Sequence, residues 1–214
     1  MDITRISALL RPFLEEPLSS KQLEQVSIYI DILVRWNSRV NLTAIRSPEE
    51  IVTRHFGESF FLARHLFPQN EQGTGKGRRV LDIGSGAGFP GLPLKIWNQA
   101  IDLGMIESNQ KKATFLREAT RTLGLENVVV RMDRAQTLAT DPSFPRSDLV
   151  TFRAVENFEK ILDLAVTLLV PGGRLALLLG ASQKESLSKA QSVRWQEPIL
   201  VPQSASRVLM IGDS

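Results

Sequence analysis

Val80-Leu81-Asp82-Ile83 runs straight into Gly84-Ser85-Gly86-Ala87-Gly88, and nothing else in the chain restricts its possible folds so strongly. A short apolar run bounded by turn residues suits a strand covered on both faces. Glycine at alternate positions then supplies backbone that adopts positive φ at no steric cost and approaches a ligand closely. Pro90 or Pro93 suits the first turn of a helix. Strand, glycine loop and helix in that order predict a ligand site at the carboxyl end of the first strand of an open α/β sheet, where such sheets hold their ligands. A plain glycine-rich turn is the alternative, and glycine alternation directly after an apolar run argues against it.

Beyond Gly77 the same grammar repeats. Apolar runs at 79–83, 102–106, 128–131, 148–152 and 175–179 are separated by helix-length segments, which predicts an α/β fold with a parallel sheet and helices on both faces. Pro171-Gly172-Gly173 reads as a turn before the fifth strand, and 207–211 as a strand returning antiparallel. The residues before Pro68 have a helical period instead. Ile3, Ile6, Leu9, Leu10, Phe13 and Leu14 share one face that Pro17 closes, and Leu23, Val26, Ile30, Leu33 and Val34 share a second behind a capping box of Ser19 and Gln22. Ser47-Pro48-Glu49-Glu50 starts a third helix, and a further stretch over 59–67 stops at Pro68. The expected organisation is a helical subdomain 1–68, a polar glycine-rich linker 69–77 and an α/β domain 78–214.

A length of 214 residues suits one mid-sized domain with an appendage. With 43% hydrophobic and 23% charged residues the chain falls in the globular class. No apolar run reaches the roughly 18 residues of a spanning helix, and the first residues lack the pattern of a secretory signal. A cytoplasmic protein with no membrane partner is expected. The absence of cysteine excludes disulfides, thiolate zinc sites, cysteine-held iron–sulfur clusters and a cysteine nucleophile; no metal is expected. Lys and Arg number 8 against 9 Asp and Glu up to residue 75, and 18 against 14 beyond it, so the net +3 belongs to the α/β part. That balance permits an anionic partner without demanding one.

Two ligands compete for the glycine loop. Gly86-Ala87-Gly88-Phe89-Pro90-Gly91 matches the dinucleotide pattern G-x-G-x-x-G. The register disfavours it, because that pattern should open where the strand ends, and Pro90 removes an N–H near the place where pyrophosphate needs donors. Asp82 is expected to set a negative charge beside the loop, which repels pyrophosphate and tolerates the sulfonium and amino groups of S-adenosylmethionine. A turn-capping carboxylate is its other reading.

The pattern V-L-D-I-G-S-G-A-G, continued by F-P-G-L-P-L, resembles the first motif of the RsmG (GidB) family of bacterial methyltransferases. Separated segments agree with the resemblance: Leu33-Val34-Arg35-Trp36-Asn37, Asn41-Leu42-Thr43, Arg54-His55, Lys111-Lys112-Ala113-Thr114-Phe115-Leu116 and Arg153-Ala154. What the resemblance implies is a Rossmann-like class I methyltransferase fold with a seven-stranded, mostly parallel sheet and an N-terminal helical subdomain. It also implies S-adenosylmethionine as methyl donor, S-adenosylhomocysteine as product, and N7 of a guanine in the 530 loop of 16S rRNA as target, on free rRNA or the small ribosomal subunit. The implied cofactor-binding residues are Asp82, Gly84, Gly86, Gly88, Phe89, Glu107, Ala135, Gln136 and Arg153. Among these, Glu107 ends the second strand 19 residues after Gly88, the place of an acid that accepts from ribose hydroxyls, and Ala135 and Gln136 match a pair beside adenine. The chain departs from the family where Leu179-Gly180-Ala181 stands for a Lys-Gly pair and where Gly57-Glu58-Ser59 replaces a pattern ending in Asp-Ser.

Strand four reads Asp148-Leu149-Val150-Thr151-Phe152-Arg153-Ala154-Val155, without the N-P-P-Y type tetrapeptide used on exocyclic amines. Pyrimidine C5 chemistry commonly needs a cysteine, which is absent. Guanine N7 carries a lone pair and no proton, so positioning carries the reaction and no catalytic base is needed. Arg153 is the first candidate at the reacting centre, and a structural ion pair is its alternative. His55 reads as a core or surface residue rather than a catalyst. Phe89 and Pro90 are expected to wall the target base. RNA contact falls to Arg35, Arg39, Arg46, Arg54, Lys111 and Lys112, with Trp36, Asn37 and Asn41 around the same loop and Lys76, Arg78, Arg79, Arg117 and Arg121 as further basic residues. Trp36 and Leu42 read better as anchors that dock the helical part. A monomer is expected. The rival readings are a nicotinamide-dependent oxidoreductase, a non-catalytic RNA-binding or assembly protein, and a small-molecule methyltransferase with the first helices as its lid.

Overall fold

The computed structural model describes residues 1–68, 77–155, 157–180, 183, 186–187, 190 and 192–214. Most of the expected linker, with Lys76, and Ala181 lie outside the described residues.

Helix α1 (Ile3–Leu10) is capped by Asp2, and a 3₁₀ turn (Arg11–Phe13) follows where Pro12 lacks the N–H that would continue it. The helix therefore ends well before Pro17. In α2 (Ser20–Asn37) the expected capping box forms, with Gln22 N–H donating to Ser19 Oγ and Ser19 N–H to Gln22 Oε1. Its buried stripe is Leu23, Val26, Tyr29, Ile30 and Leu33, whereas Val34 is 45% exposed, off that face. The two helical stretches expected over residues 48–67 are one continuous rod: α3 (Pro48–Glu50), a π-helical segment (Ile51–Gly57) and α4 (Glu58–Leu66). A β-carbon on Gly57 would lie 2.6 Å from the Phe13 ring, so the crossing of rod and 3₁₀ turn requires glycine.

Among the described residues eight strands form one sheet: β1 (Arg79–Ile83), β2 (Asp102–Ile106), β3 (Val128–Arg131), β4 (Ser147–Phe152), β5 (Leu169–Gly180), β6 (Arg194–Trp195), β7 (Ile199–Leu200) and β8 (Arg207–Asp213). Their order is β3-β2-β1-β4-β5-β8-β6, with β7 also on β8. Strands β1 to β5 are parallel, and β8 returns antiparallel to β5. The Rossmann-like methyltransferase sheet expected from the sequence is present, with the two-residue β7 as the strand beyond seven. The turn expected at Pro171-Gly172-Gly173 is instead a bulge inside β5. Ser147 pairs with Leu169 and Leu149 with Arg174, so β5 advances five residues while β4 advances two.

Helices α5 (Gly91–Trp97) and α6 (Gln110–Thr122) lie on one face with the N-terminal helices, and α7 (Ala135–Thr140) and α8 (Phe158–Thr167) lie on the other. Val80, Leu103, Met105 and Leu149 share a core with Val26, Phe56, Phe60, Trp97 and Phe115. Leu81, Ile83, Val150 and Phe152 pack against the second pair. No described helix is long and apolar enough to cross a membrane. Strand β1 lies between β2 and β4, where the chain's winding reverses and a crevice opens at the carboxyl ends.

Candidate active site

The loop after β1 is built from glycines in left-handed conformations. Gly84, Gly86 and Gly88 have φ of +67°, +55° and +85°, values that other L-residues seldom adopt. Gly84 and Ser85 N–H donate to Ile106 O at 2.8 and 3.1 Å, tying the loop to the end of β2. Gly84 is exposed and Gly86 half-buried, and a β-carbon on Gly86 would meet only Gly84 O, at 3.8 Å. The space in front of Gly86 is open. Gly88 is buried against Tyr29 and Leu92, so it serves packing.

Glu107, 7% exposed at the end of β2, accepts from Gly86 N–H at 2.9 Å and from Asn109 N–H at 2.8 Å. Each carboxylate oxygen keeps a further acceptor direction. Glu107 N–H donates to Arg131 O, which sets the end of β3 beside it, and Ala135 (buried) and Gln136 (exposed) open α7 four residues on. On the other side of β1, Ile83 pairs with Phe152, and Arg153 follows. The described geometry therefore aligns Gln136, Glu107, the glycine loop and Arg153 along four neighbouring strand ends. At about 4.8 Å per strand this edge is long enough for an extended ligand with a ring at one end and a charged tail at the other. The donor set fits S-adenosylmethionine: a carboxylate for ribose hydroxyls, open backbone for the thioether region and a guanidinium for the amino-acid carboxylate. Pyrophosphate fits poorly, because Pro90 has no N–H and Gly91 N–H donates to Asp82 Oδ2.

Asp82 is fully buried beneath the loop, with Oδ1 unpartnered. A β-carbon on Gly91 would lie 2.6 Å from its Oδ2, so glycine is what lets the carboxyl cap α5. Burial pushes the Asp82 carboxyl up to about 7, against the opposing hydrogen bonds of Ser85 and Gly91. Burial thus disfavours the full negative charge expected beside the loop, and pyrophosphate is opposed by missing donors rather than by charge. His55 stacks on Phe89 at 4.6 Å with planes 18° apart, and its Nε2 lies 2.8 Å from Thr43 Oγ1. Burial, then the charges of Arg153, Arg54 and Arg207, hold it at about 3.

These two groups push stability in opposite directions. Asp82 has a raised value, so the stability of its protonated form is full below about 3.8 and is lost as pH rises through about 7. His55 has a depressed value, so the stability of its neutral form is full above about 6.5 and is lost as pH falls towards about 3. Asp82→Asn is expected to leave a stability that rises across pH 4 to 6.5, and His55→Asn one that falls from pH 4 to 7. Urea unfolding at stepped pH checks this, and parallel profiles for the two variants would refute it.

Phe89 is not an open wall. Its ring is 6% exposed, lies parallel to Tyr29 at 5.3 Å and 4°, and meets Phe56 edge-on at 5.1 Å; Pro90 is buried too. Arg153, the other candidate at the reacting centre, forms an ion pair with Glu58, Nη2 to Oε2 at 3.2 Å. Glu58 is 4% exposed and also accepts from Arg207 Nη1 at 2.5 and 2.7 Å.

Trp36 is an anchor, with its ring 5.8 Å from Phe115 of α6, and Leu42 is buried. Asn37 is occupied within its loop: Oδ1 accepts from Leu42 and Thr43 N–H, and Nδ2 donates to Thr43 O. Arg35, Arg39, Arg46, Arg54 and Lys111 are exposed and Lys112 half-buried. Arg78 and Arg79 lie at the amino ends of the strands, with Arg78 over Phe67, away from the loop.

Two residues escaped the sequence reading. Tyr29 donates to Ala87 O at 2.5 Å and fixes the loop from below; as the chain's single tyrosine, at Val26 plus three, it stood on a recognisable apolar face. Glu58 stands in the sequence only as a departure from the family's Asp-Ser pattern, with no partner assigned to it.

Residues 22–204 match the family model GidB, rRNA small subunit methyltransferase G. Among similar proteins, a "Ribosomal RNA small subunit methyltransferase G" of Desulfitobacterium hafniense is 37% identical over 187 residues, 87% of this chain and 74% of the relative. Another of that name from Dehalococcoides mccartyi is 40% identical over 174 residues, 81% and 71% of the two chains. A putative O-methyltransferase from Klebsiella pneumoniae shares the fold, with TM-score 0.62, 15% identity, and 86% and 89% of the two chains covered. A match of this extent, joined to a glycine loop and strand-end acid suited to S-adenosylmethionine, makes the chain a member of the rRNA small subunit methyltransferase G family.

Proposed function

We propose that this chain methylates N7 of a guanine in the 530 loop of 16S rRNA, working in the cytoplasm as a monomer. The observation that carries the choice of atom is the state of the titratable groups around the loop. Asp82 is buried under it, and His55 is stacked on Phe89, bonded to Thr43 and held neutral. Neither offers a base to an acceptor that must lose a proton, and the Glu107 carboxylate is committed to Gly86 and Asn109 N–H and assigned to the ribose. Guanine N7 loses none.

When bound, S-adenosylmethionine supplies an electrophilic methyl carbon. Glu107 would hold the ribose, Gly84 and Gly86 the thioether region, Ala135 and Gln136 the adenine, and Arg153 the carboxylate. What remains for the chain is to exclude water and align the acceptor, and proximity and orientation account for most of such an acceleration. RNA contact is assigned to Arg35, Arg39, Arg46, Arg54, Lys111 and Lys112. The Trp36–Phe115 contact packs the end of α2 against α6, which supports assigning Arg35 and Arg39 with Lys111 and Lys112 to one phosphate-binding surface.

The test supplies tritiated S-adenosylmethionine with unmodified small subunits or free rRNA, followed by borohydride and aniline. Chain cleavage at one guanine of the 530 loop is expected. Label retained in RNA that aniline leaves intact would overturn the N7 assignment.

A further inference from the structure

We infer that Glu58 is a positioning residue: from the helical layer it fixes Arg153 so that the guanidinium can receive the carboxylate of the methyl donor. The inference rests on the methyl-donor reading of the site and not on the choice of RNA atom.

The cluster is one carboxylate between two guanidiniums. Glu58 Oε2 is 3.2 Å from Arg153 Nη2, and both Glu58 oxygens accept from Arg207 Nη1. The side chains of Glu58 and Arg153 are 5% and 12% exposed. Arg207 opens β8 and pairs with Gly180 at the carboxyl end of β5, so both cations sit on the ligand edge of the sheet. One negative against two positive charges leaves a positive excess in a mostly dry place, and a buried charge without a partner is unfavourable. Arg153 Nη1 is buried and has no hydrogen-bond partner. A further anion would complete the cluster.

Position identifies that anion. Arg153 follows Phe152, the register partner of Ile83 at the root of the glycine loop. Two residues on, Val155 Cγ1 would lie 3.0 Å from a β-carbon on Gly84. The segment after β4 thus closes over the loop end where an amino-acid tail would lie. Bonding to Glu58 restricts a long side chain to one arrangement before the ligand arrives, which lowers the entropy lost on binding. Arg207 holds Glu58 itself.

The test is calorimetric and needs no RNA. S-adenosylhomocysteine carries the carboxylate and 5′-methylthioadenosine lacks it. Glu58→Gln, nearly isosteric, is expected to weaken S-adenosylhomocysteine by about tenfold or more, the scale of one charged hydrogen bond, and to change 5′-methylthioadenosine less than about twofold. Glu58→Asp keeps the charge and is expected to recover part of the loss. In an Arg153→Met background, Glu58→Gln should have no further effect on S-adenosylhomocysteine, as a residue acting through Arg153 requires. Equal weakening of both ligands, or no change in either, would overturn the inference. If the Gln variant fails to fold, the same ligand pair on the Asp variant decides by the same rule. A wild-type chain that binds neither ligand removes the methyl-donor reading and this inference together; a failed N7 assignment leaves the calorimetry intact.

Discussion

Gly88→Ala is expected to lower the unfolding midpoint by about 6 to 12 °C. Two costs add. The position has φ of +85°, where a β-carbon costs roughly 1–2 kcal/mol. The new methyl would also be 2.7 Å from Leu92 Cδ1 and closer still to the Tyr29 hydroxyl, and overpacking of a tight core costs about 1–3 kcal/mol. A sum near 3 kcal/mol moves the midpoint of a chain this size by about 2–4 °C per kcal/mol. Gly86→Ala is the informative contrast. Its methyl would meet only Gly84 O at 3.8 Å, so only the backbone cost of roughly 1–2 kcal/mol applies, and the midpoint should fall by about 2 to 8 °C. The same methyl points into the open space before the loop, so S-adenosylhomocysteine binding is expected to suffer more than stability. Thermal unfolding with and without that ligand separates the two, and equal midpoints for both variants would contradict the packing described for Gly88.

Glu107→Ala is expected to weaken S-adenosylhomocysteine by about 100-fold while leaving the chain folded. The carboxylate accepts from Gly86 and Asn109 N–H, and it is proposed to take both ribose hydroxyls. Hydrogen bonds to a charged acceptor contribute roughly 1.5–3 kcal/mol each when removed, and losing two at the low end gives about two orders of magnitude. Glu107→Gln retains the shape and one acceptor, so about tenfold is expected. Calorimetry on both variants is the check, and unchanged affinity in Glu107→Ala would remove the ribose assignment.

The parts of this molecule that the sequence made legible are those with local physical signatures. Strands β1, β2 and β3 fall where apolar runs are bounded by turn residues, and Ser19 with Gln22 marks the start of α2 because both halves of a capping box lie within one turn. The glycine loop was equally plain. The start of β5 was hidden because Pro171-Gly172-Gly173 has the composition of a turn, while the bulge that absorbs it depends on pairing with β4. The π-helical segment was hidden as well, since Ile51, Val52, His55 and Phe56 repeat as any amphipathic helix would. The long-range partners of site residues were hardest to see: Tyr29 lies 58 positions from Ala87, and Arg207 lies 149 from Glu58. No spacing rule reaches across such separations.

Phe89, stacked between neighbours of α2 and the π-helical segment, has a consequence for synthesis. The N-terminal helices emerge first, yet the residues that cover their apolar faces, from Phe89 and Trp97 to Phe115 and Leu116, come far later in the chain. Until then the nascent polypeptide carries a greasy, unfinished layer, the sort of exposed surface that invites misassociation or chaperone capture. A translational pause before codon 116 should therefore harm this protein more than the same pause placed after it.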